Sequence, residues 1–171
     1  MSALLHRVQL NPTDQIIFLG DYIDRGPASR AVIDTLMELR KSCTTVFLRG
    51  NHEVMILDAR DDALKSDLWQ SYGERETLMS YGGDSGQDWV RSIPASHWEF
   101  LERTERFFEN DGHIFVHACL DPELDMVAQP DWLLFWATLG QMRAHKSGKR
   151  VICGHTLQRS GQINDLGCRL H

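Results

Sequence analysis

Short apolar runs alternate with longer amphipathic stretches along this chain, and several of the runs end in glycine followed by polar residues. Residues 2–8 carry a short helical apolar pattern. Ile16-Ile17-Phe18-Leu19 predicts a buried strand over 15–19, and Val46-Phe47-Leu48-Arg49 predicts a second over 45–49. Between them Pro27 opens a helix over 28–40, with Ala31, Val32, Leu36 and Leu39 on its apolar stripe. From Val54 the pattern turns helical again, with Met55, Ile56 and Ala59 as core candidates. Residues 61–88 are polar and punctuated, most clearly at Tyr81-Gly82-Gly83-Asp84. Ser96 and Glu99 have capping-box spacing at the start of a helix over 96–104. Phe107-Phe108 and residues 113–116 flank Asn110-Asp111-Gly112, a hairpin signal. Residues 132–139 read as a short helix or buried turn, and 150–153 as a last strand. No repeat, low-complexity tract or linker interrupts this alternation, so the expectation is one α/β domain over residues 1–171.

Composition narrows the partners more than the fold. At 171 residues the chain can bury one real core. A net charge of -6 with no basic run argues against nucleic acid, whose backbone needs clustered Lys and Arg. No apolar run reaches the ~20 residues of a membrane span, and the N-terminus is too short and polar for a secretory signal. Cys43, Cys119, Cys153 and Cys168 lie far apart, which favours reduced thiols in small core positions and a cytoplasmic setting. Trp69, Trp89, Trp98, Trp132 and Trp136 read as core or loop anchors, and His6, His97, His145 and His171 as surface residues. The acidic stretch 58–67 reads as a solvated face.

The chemistry gathers at strand ends. Asp21, Asn51-His52, His117 and Gly154-His155 each follow a predicted strand in a small-residue context. One such histidine is usually a satisfied structural residue; four repetitions are hard to explain as packing, because core positions normally take Val, Ile and Leu. Asp21, Asn51, His117 and His155 offer two oxygen and two nitrogen ligands, a set that suits manganese, iron or zinc better than calcium. A carboxylate such as Asp21 can bridge two cations of a two-metal hydrolase. Arg25 presents a planar fork for two phosphate oxygens. Asp24 need not point the way Asp21 does, and can orient His52 as a protonated general acid for a leaving alkoxide.

These residues resemble the calcineurin-like metallophosphoesterases, and among them the bacterial and phage-type serine/threonine protein phosphatases of the phosphoprotein phosphatase family. The family pattern runs Gly-Asp-x-His-Gly, then Gly-Asp-x-x-Asp-Arg-Gly, then Gly-Asn-His-Glu, then two later histidines. Residues 20–26 match the second element and residues 50–53 the third, while His117 and His155 match the later histidines by order and context. The likeness covers about residues 15–156. It implies two packed β-sheets flanked by helices. It also implies Asp21, Asn51, His117 and His155 as metal ligands, His52 with Asp24 as the acid pair, and Arg25 on the phosphate. The activity implied is direct hydrolysis of a phosphomonoester by a metal-activated water, with manganese the leading metal and iron or zinc as alternatives. The substrate would be a phosphorylated protein or a small phosphoester.

Glu53 points to the protein-phosphatase branch, because the related dinucleoside-polyphosphate hydrolases usually carry Asp at that position. Such a hydrolase is the alternative reading, and a non-catalytic metal- or phosphate-binding remnant is a third. The Gly-Asp-x-His-Gly element is absent from residues 1–171 and few residues follow Thr156, so the domain is expected to be incomplete at both ends, with ligands for one of the family's two metals and correspondingly weak activity. Residues 163–171 read as the start of a further strand, and Asp111-Gly112-His113 as turn chemistry rather than a metal motif. A second phosphate-binding arginine has no clear counterpart, Arg143 being the nearest candidate.

Overall fold

A computed structural model describes residues 2–11, 13–83, 89–138, 140 and 143–158. Helix α1 (Ser2–Val8) precedes strand β1 (Gln15–Phe18), which runs through helix α2 (Ser29–Leu39) into strand β2 (Thr44–Phe47). The two strands pair in parallel, with Ile17 opposite Val46 and Phe18 opposite Phe47. Helices α3 (Asn51–Asp61), α4 (Ala63–Gln70), α5 (Arg75–Ser80), α6 (Trp89–Ser92) and α7 (Ala95–Glu102) follow. A second sheet is built from β3 (Phe107–Glu109), β4 (His113–Val116) and β5 (Arg150–Ile152), with helix α8 (Asp131–Trp136) in the connection. Its order is β3-β4-β5, antiparallel on one side of β4 and parallel on the other. The result is a mixed α/β fold of two small, open sheets flanked by helices, as expected from sequence.

One core cluster lies between the first sheet and α2, α3 and α7, with Ile33, Leu36, Ile56 and Leu101 fully buried. Phe47 stacks on Phe18 at 5.3 Å and meets Phe100 edge-on at 5.0 Å. A smaller cluster of Ile114, Val116, Leu120, Met126, Leu134 and Phe135 packs behind the second sheet. Backbone bonds tie the end of β2 to the segment before β3 and extend the β4–β5 pairing toward the site. Arg49 N donates to Glu105 O at 2.7 Å, Glu105 N donates to Phe47 O at 2.8 Å, and Gly154 N donates to His117 O at 2.9 Å.

Several local expectations change. The apolar stripe of α2 is turned by about one residue, since Ile33 and Leu36 are buried while Ala31 is exposed. Helix α3 starts at Asn51 rather than Val54, so the Gly-Asn-His-Glu element is itself a helix N-terminus. The polar segment after residue 61 folds into α4 and α5, and Asp62 caps α4 by accepting from Leu64 N at 2.9 Å. The Ser96 capping box does not form. Extended Pro94 is the residue that enters α7, which puts Ser96 inside the first turn. The hairpin is present, and Asn110 Oδ1 closes it by accepting from Gly112 N at 3.1 Å and His113 N at 2.9 Å.

His97 and His145, read as surface residues, are both buried. His97 bridges Tyr81 and Asp34, and His145 bridges Ser147 and the Leu124 carbonyl. His6 is exposed as expected. Trp69, Trp89 and Trp98 are core residues, whereas Trp132 and Trp136 are exposed. Cys119 is buried, and Cys43 and Cys153 are partly buried. Cys168, His171 and the strand expected over 163–171 lie outside the described residues. No helix is long and apolar enough to cross a membrane among the described residues.

Candidate metal centre and acid pair

The loop after β1 is held in a conformation that its residues resist. Asp21, Asp24 and Arg25 have φ of 58°, 69° and 59°, and Gly20 has 100°. Each non-glycine residue in this left-handed region costs on the order of 1 kcal/mol or more, and such strain collects at functional sites. Specific bonds hold it there. Asp21 N and Tyr22 N donate to Glu53 at 2.8 Å each, Asp24 N donates to Thr77 Oγ1 at 2.8 Å, and Arg25 N donates to Gly73 O at 3.1 Å. His155 is the fourth strained site candidate, with φ 55°.

Glu53 is fully buried on α3, where Gly50 N also donates to it at 2.8 Å. Its carboxylate therefore ties the first loop to the entry of α3. Burial, with the Asp21 charge adding to it, pushes the Glu53 carboxyl up to about 7 despite these three donors. The residue that served as a cue to substrate branch is an internal clamp, and its oxygens are used by backbone amides. Gly20 and Gly50 are where the two loops touch. A Cβ on Gly20 would lie 2.5 Å from Gly50 N, and one on Gly50 would collide with the Asp21 side chain.

The four predicted ligands converge. His117 Nδ1–H donates to Leu19 O at 2.6 Å, which fixes the tautomer and leaves Nε2 with its lone pair outward. Nε2 then faces Asn51 Oδ1 at 3.2 Å, Asp21 Oδ1 at 3.4 Å and His155 Nδ1 at 3.1 Å. Among the described residues, Asp21, His117 and His155 form a group whose ligand atoms all lie within 4.8 Å of one another. Lone pairs turned on one another are unfavourable unless a cation lies between them. Separations of 3.1–3.4 Å also match the edges of a coordination shell with bonds of about 2.0–2.2 Å. The donor set fits a divalent metal. Burial holds the His117 pKa below the ordinary imidazole range, against the pull of Asp21 and the Leu19 carbonyl, so the ring is in the neutral form a ligand requires.

Beside this centre His52 Nδ1 donates to Asp24 Oδ2 at 2.7 Å, with both side chains buried. Burial opposes a charge on His52, but the bond to Asp24 and the Asp21 and Asp24 charges outweigh it, and the imidazole pKa is raised. Nε2 has no hydrogen-bond partner among the described residues. Arg25 is exposed, with no side-chain partner among the described residues. Arg143 is exposed and lies 3.6 Å from Glu123, a surface pair rather than part of this cluster. Trp69, Thr77 and Ser29 also belong to the neighbourhood; no local pattern marks them as site residues, since their bonds to Asp24 or Thr77 span 45–53 residues.

A cluster of strand-end oxygen and imidazole donors at the edges of two sheets is the kind of site a metallophosphoesterase would use. The chain belongs to the calcineurin-like phosphoesterase family, whose pattern matches residues 1–159. Its relatives include the symmetrical bis(5'-nucleosyl)-tetraphosphatase of Pseudomonas putida, 30% identical over 124 residues, which are 72% of this chain and 38% of that protein. The enzyme of the same name from Bordetella pertussis is 33% identical over 59% of this chain and 31% of its own length. That of a Janthinobacterium species is 26% identical over 79% and 49%. The chain thus spans less than half the length of these relatives.

Proposed function

We propose that residues 1–171 form one metal-dependent phosphohydrolase domain acting on dinucleoside polyphosphates. The observation that carries the metal-dependent chemistry is the convergence of Asp21, Asn51 and His155 on His117 Nε2, with the Asp24–His52 pair alongside. A divalent cation in that donor set, with manganese the first candidate, would polarise a phosphoryl oxygen and ease loss of a proton from water.

The chain's own groups supply the rest. Exposed Arg25 would supply a bidentate grip on two phosphate oxygens. In its protonated form His52 keeps Nδ1–H on Asp24 and gives its Nε2 proton to the leaving oxygen, returning to a neutral ring. The printed activity of the relatives supports a dinucleoside polyphosphate over a phosphorylated protein. The cue for a protein phosphatase loses its force because Glu53 is occupied by three backbone amides.

The test is hydrolysis of diadenosine tetraphosphate and of a phosphoserine peptide by the manganese-loaded chain, with products separated by ion exchange. The reading predicts symmetric cleavage of the dinucleotide that is lost when the metal is removed by a chelator. Faster turnover of the peptide, or no turnover of either, would overturn it.

A further inference from the structure

Asp24 is the hub of a buried network drawn from four separate segments. Its Oδ2 accepts from His52 Nδ1 at 2.7 Å and from Trp69 Nε1 at 2.9 Å, and its Oδ1 accepts from Thr77 Oγ1 at 2.7 Å. Proton counting fixes the direction of the remaining bond. A threonine hydroxyl has one proton, and Thr77 gives it to Asp24. At the 2.9 Å contact between Ser29 and Thr77, Ser29 is therefore the donor. The Thr77 oxygen also accepts from Asp24 N at 2.8 Å. Thr77 thus grips the backbone and the carboxylate of one residue, itself held at a left-handed φ of 69°. Trp69 and Thr77 are fully buried and Ser29 nearly so.

We propose that Trp69 and Thr77 are positioning residues for His52. They occupy the acceptor sites of Asp24 that His52 does not use and fix the plane of its carboxylate. The carboxylate then holds the imidazole by its Nδ1–H, with Nε2 turned to the reacting group; the ring acts as an acid only in its doubly protonated form, when Nε2 carries the second proton. Trp69 Nε1–H and the Thr77 hydroxyl reach Asp24 as donors, so neither competes with His52 for a proton. Without the Thr77 oxygen, Oδ1 loses its partner, Asp24 N–H is orphaned, and the carboxylate is free to turn. A buried network of this kind rigidifies its members only while every bond is made. What the His52 proton is for rests on the phosphohydrolase reading above; the tautomer and its two supports do not.

The first experiment uses the metal-free 171-residue chain and long-range proton–nitrogen NMR of its histidines, with His52 assigned by its loss in His52→Gln. The wild type is expected to show one Nδ1–H tautomer with a slowly exchanging ring proton. In Thr77→Val, which keeps the shape of the side chain, and in Trp69→Phe, that proton should exchange at least roughly tenfold faster. Thr77→Ser should restore it. If Trp69→Phe fails to fold, Thr77→Val and Thr77→Ser decide the matter, because neither opens a large cavity. A folded Thr77→Val chain with an unchanged His52 signal would overturn the proposal.

The second arm compares turnover of an alkyl phosphate with that of p-nitrophenyl phosphate. The positioning role predicts that Thr77→Val loses roughly tenfold more rate on the alkyl ester, whose leaving oxygen needs the proton, and that Thr77→Ser recovers it. Equal losses on the two esters would overturn it. If neither ester is turned over while the NMR changes appear, the phosphohydrolase reading falls and the positioning role stands.

Discussion

Replacing Gly50 by alanine should separate the two loops that build the site, and the size of the effect can be worked from their contact. Gly50 has φ -94°, so its backbone conformation suits alanine. On backbone entropy alone the change would stabilise by about 0.4–1 kcal/mol. Space decides otherwise. The new Cβ would collide with Asp21 Oδ1, lie 2.7 Å from Asp21 N and lie 2.9 Å from Glu53 Oε2. The side-chain atoms can rotate; the backbone nitrogen cannot. An ordinary contact near 3.4 Å requires the Asp21 loop to retreat by about 0.7 Å (3.4 less 2.7). That stretches the 2.8 Å bond from Asp21 N to Glu53 to about 3.5 Å, beyond useful range. Losing a charge-assisted bond costs about 1.5–3 kcal/mol, and overpacking about 1–3 kcal/mol. These costs overlap, and after the entropic gain a net loss of about 2–4 kcal/mol remains. Urea unfolding followed by tryptophan fluorescence at about pH 8, where Glu53 is ionised, measures it. Gly112→Ala is the control, because a Cβ there meets nothing within 4 Å. Gly50→Ala as stable as the wild type, or no worse than Gly112→Ala, would refute the tight apposition of the loops.

Other expectations follow from the same geometry. Glu53 is held at about 7 against an ordinary 4.5, so the folded chain binds that proton more tightly than the unfolded one. The associated stability is fully present below the unfolded value and is lost as pH rises through about 7. In the metal-free chain this amounts to about 3 kcal/mol, and urea midpoints at several pH values should show that part of the slope vanish in Glu53→Gln. Cys153, whose thiol burial pushes up to about 11, should react with iodoacetamide near pH 8 at least roughly tenfold more slowly in the folded chain than in urea. Equal rates would count against its placement. Asn110→Ala removes the acceptor for two amides of the hairpin turn and should cost about 1 kcal/mol in thermal or urea unfolding, whereas Asp111→Ala should be near neutral.

What could be read in advance is what the chain writes locally. Ile16 to Leu19 and Val46 to Arg49 are short apolar runs that stop at glycine and polar residues, so both the strands and their functional ends could be read. The same is true of the hairpin, where Asn110 supplies its own turn bonds. Long-range partnerships left no such mark. Trp69 looks like any core tryptophan, and Thr77 like any polar residue of a punctuated segment. Their donor role appears only when α4 and α5 are folded against the loop after β1.

The burial of the histidines is hidden from the sequence for the same reason, since His97 draws its partners from Asp34 and Tyr81, 63 and 16 residues away. Helices α4 and α5 were hidden because their exposed faces carry Leu64, Leu68 and Met79, which blur the amphipathic pattern. Glu53 shows a different limit. Its position in the motif was legible, but its job as an acceptor for Asp21, Tyr22 and Gly50 depends on the approach of two loops 30 residues apart.

The most direct test of the account is calorimetric titration of manganese into the chelator-stripped chain, comparing the wild type with Asp21→Asn and His155→Ala. The account predicts one ion per chain in the wild type. It predicts affinity weakened by roughly a hundredfold in each variant, with unfolding midpoints little changed. No binding to the wild type, or binding that survives both substitutions, would contradict it.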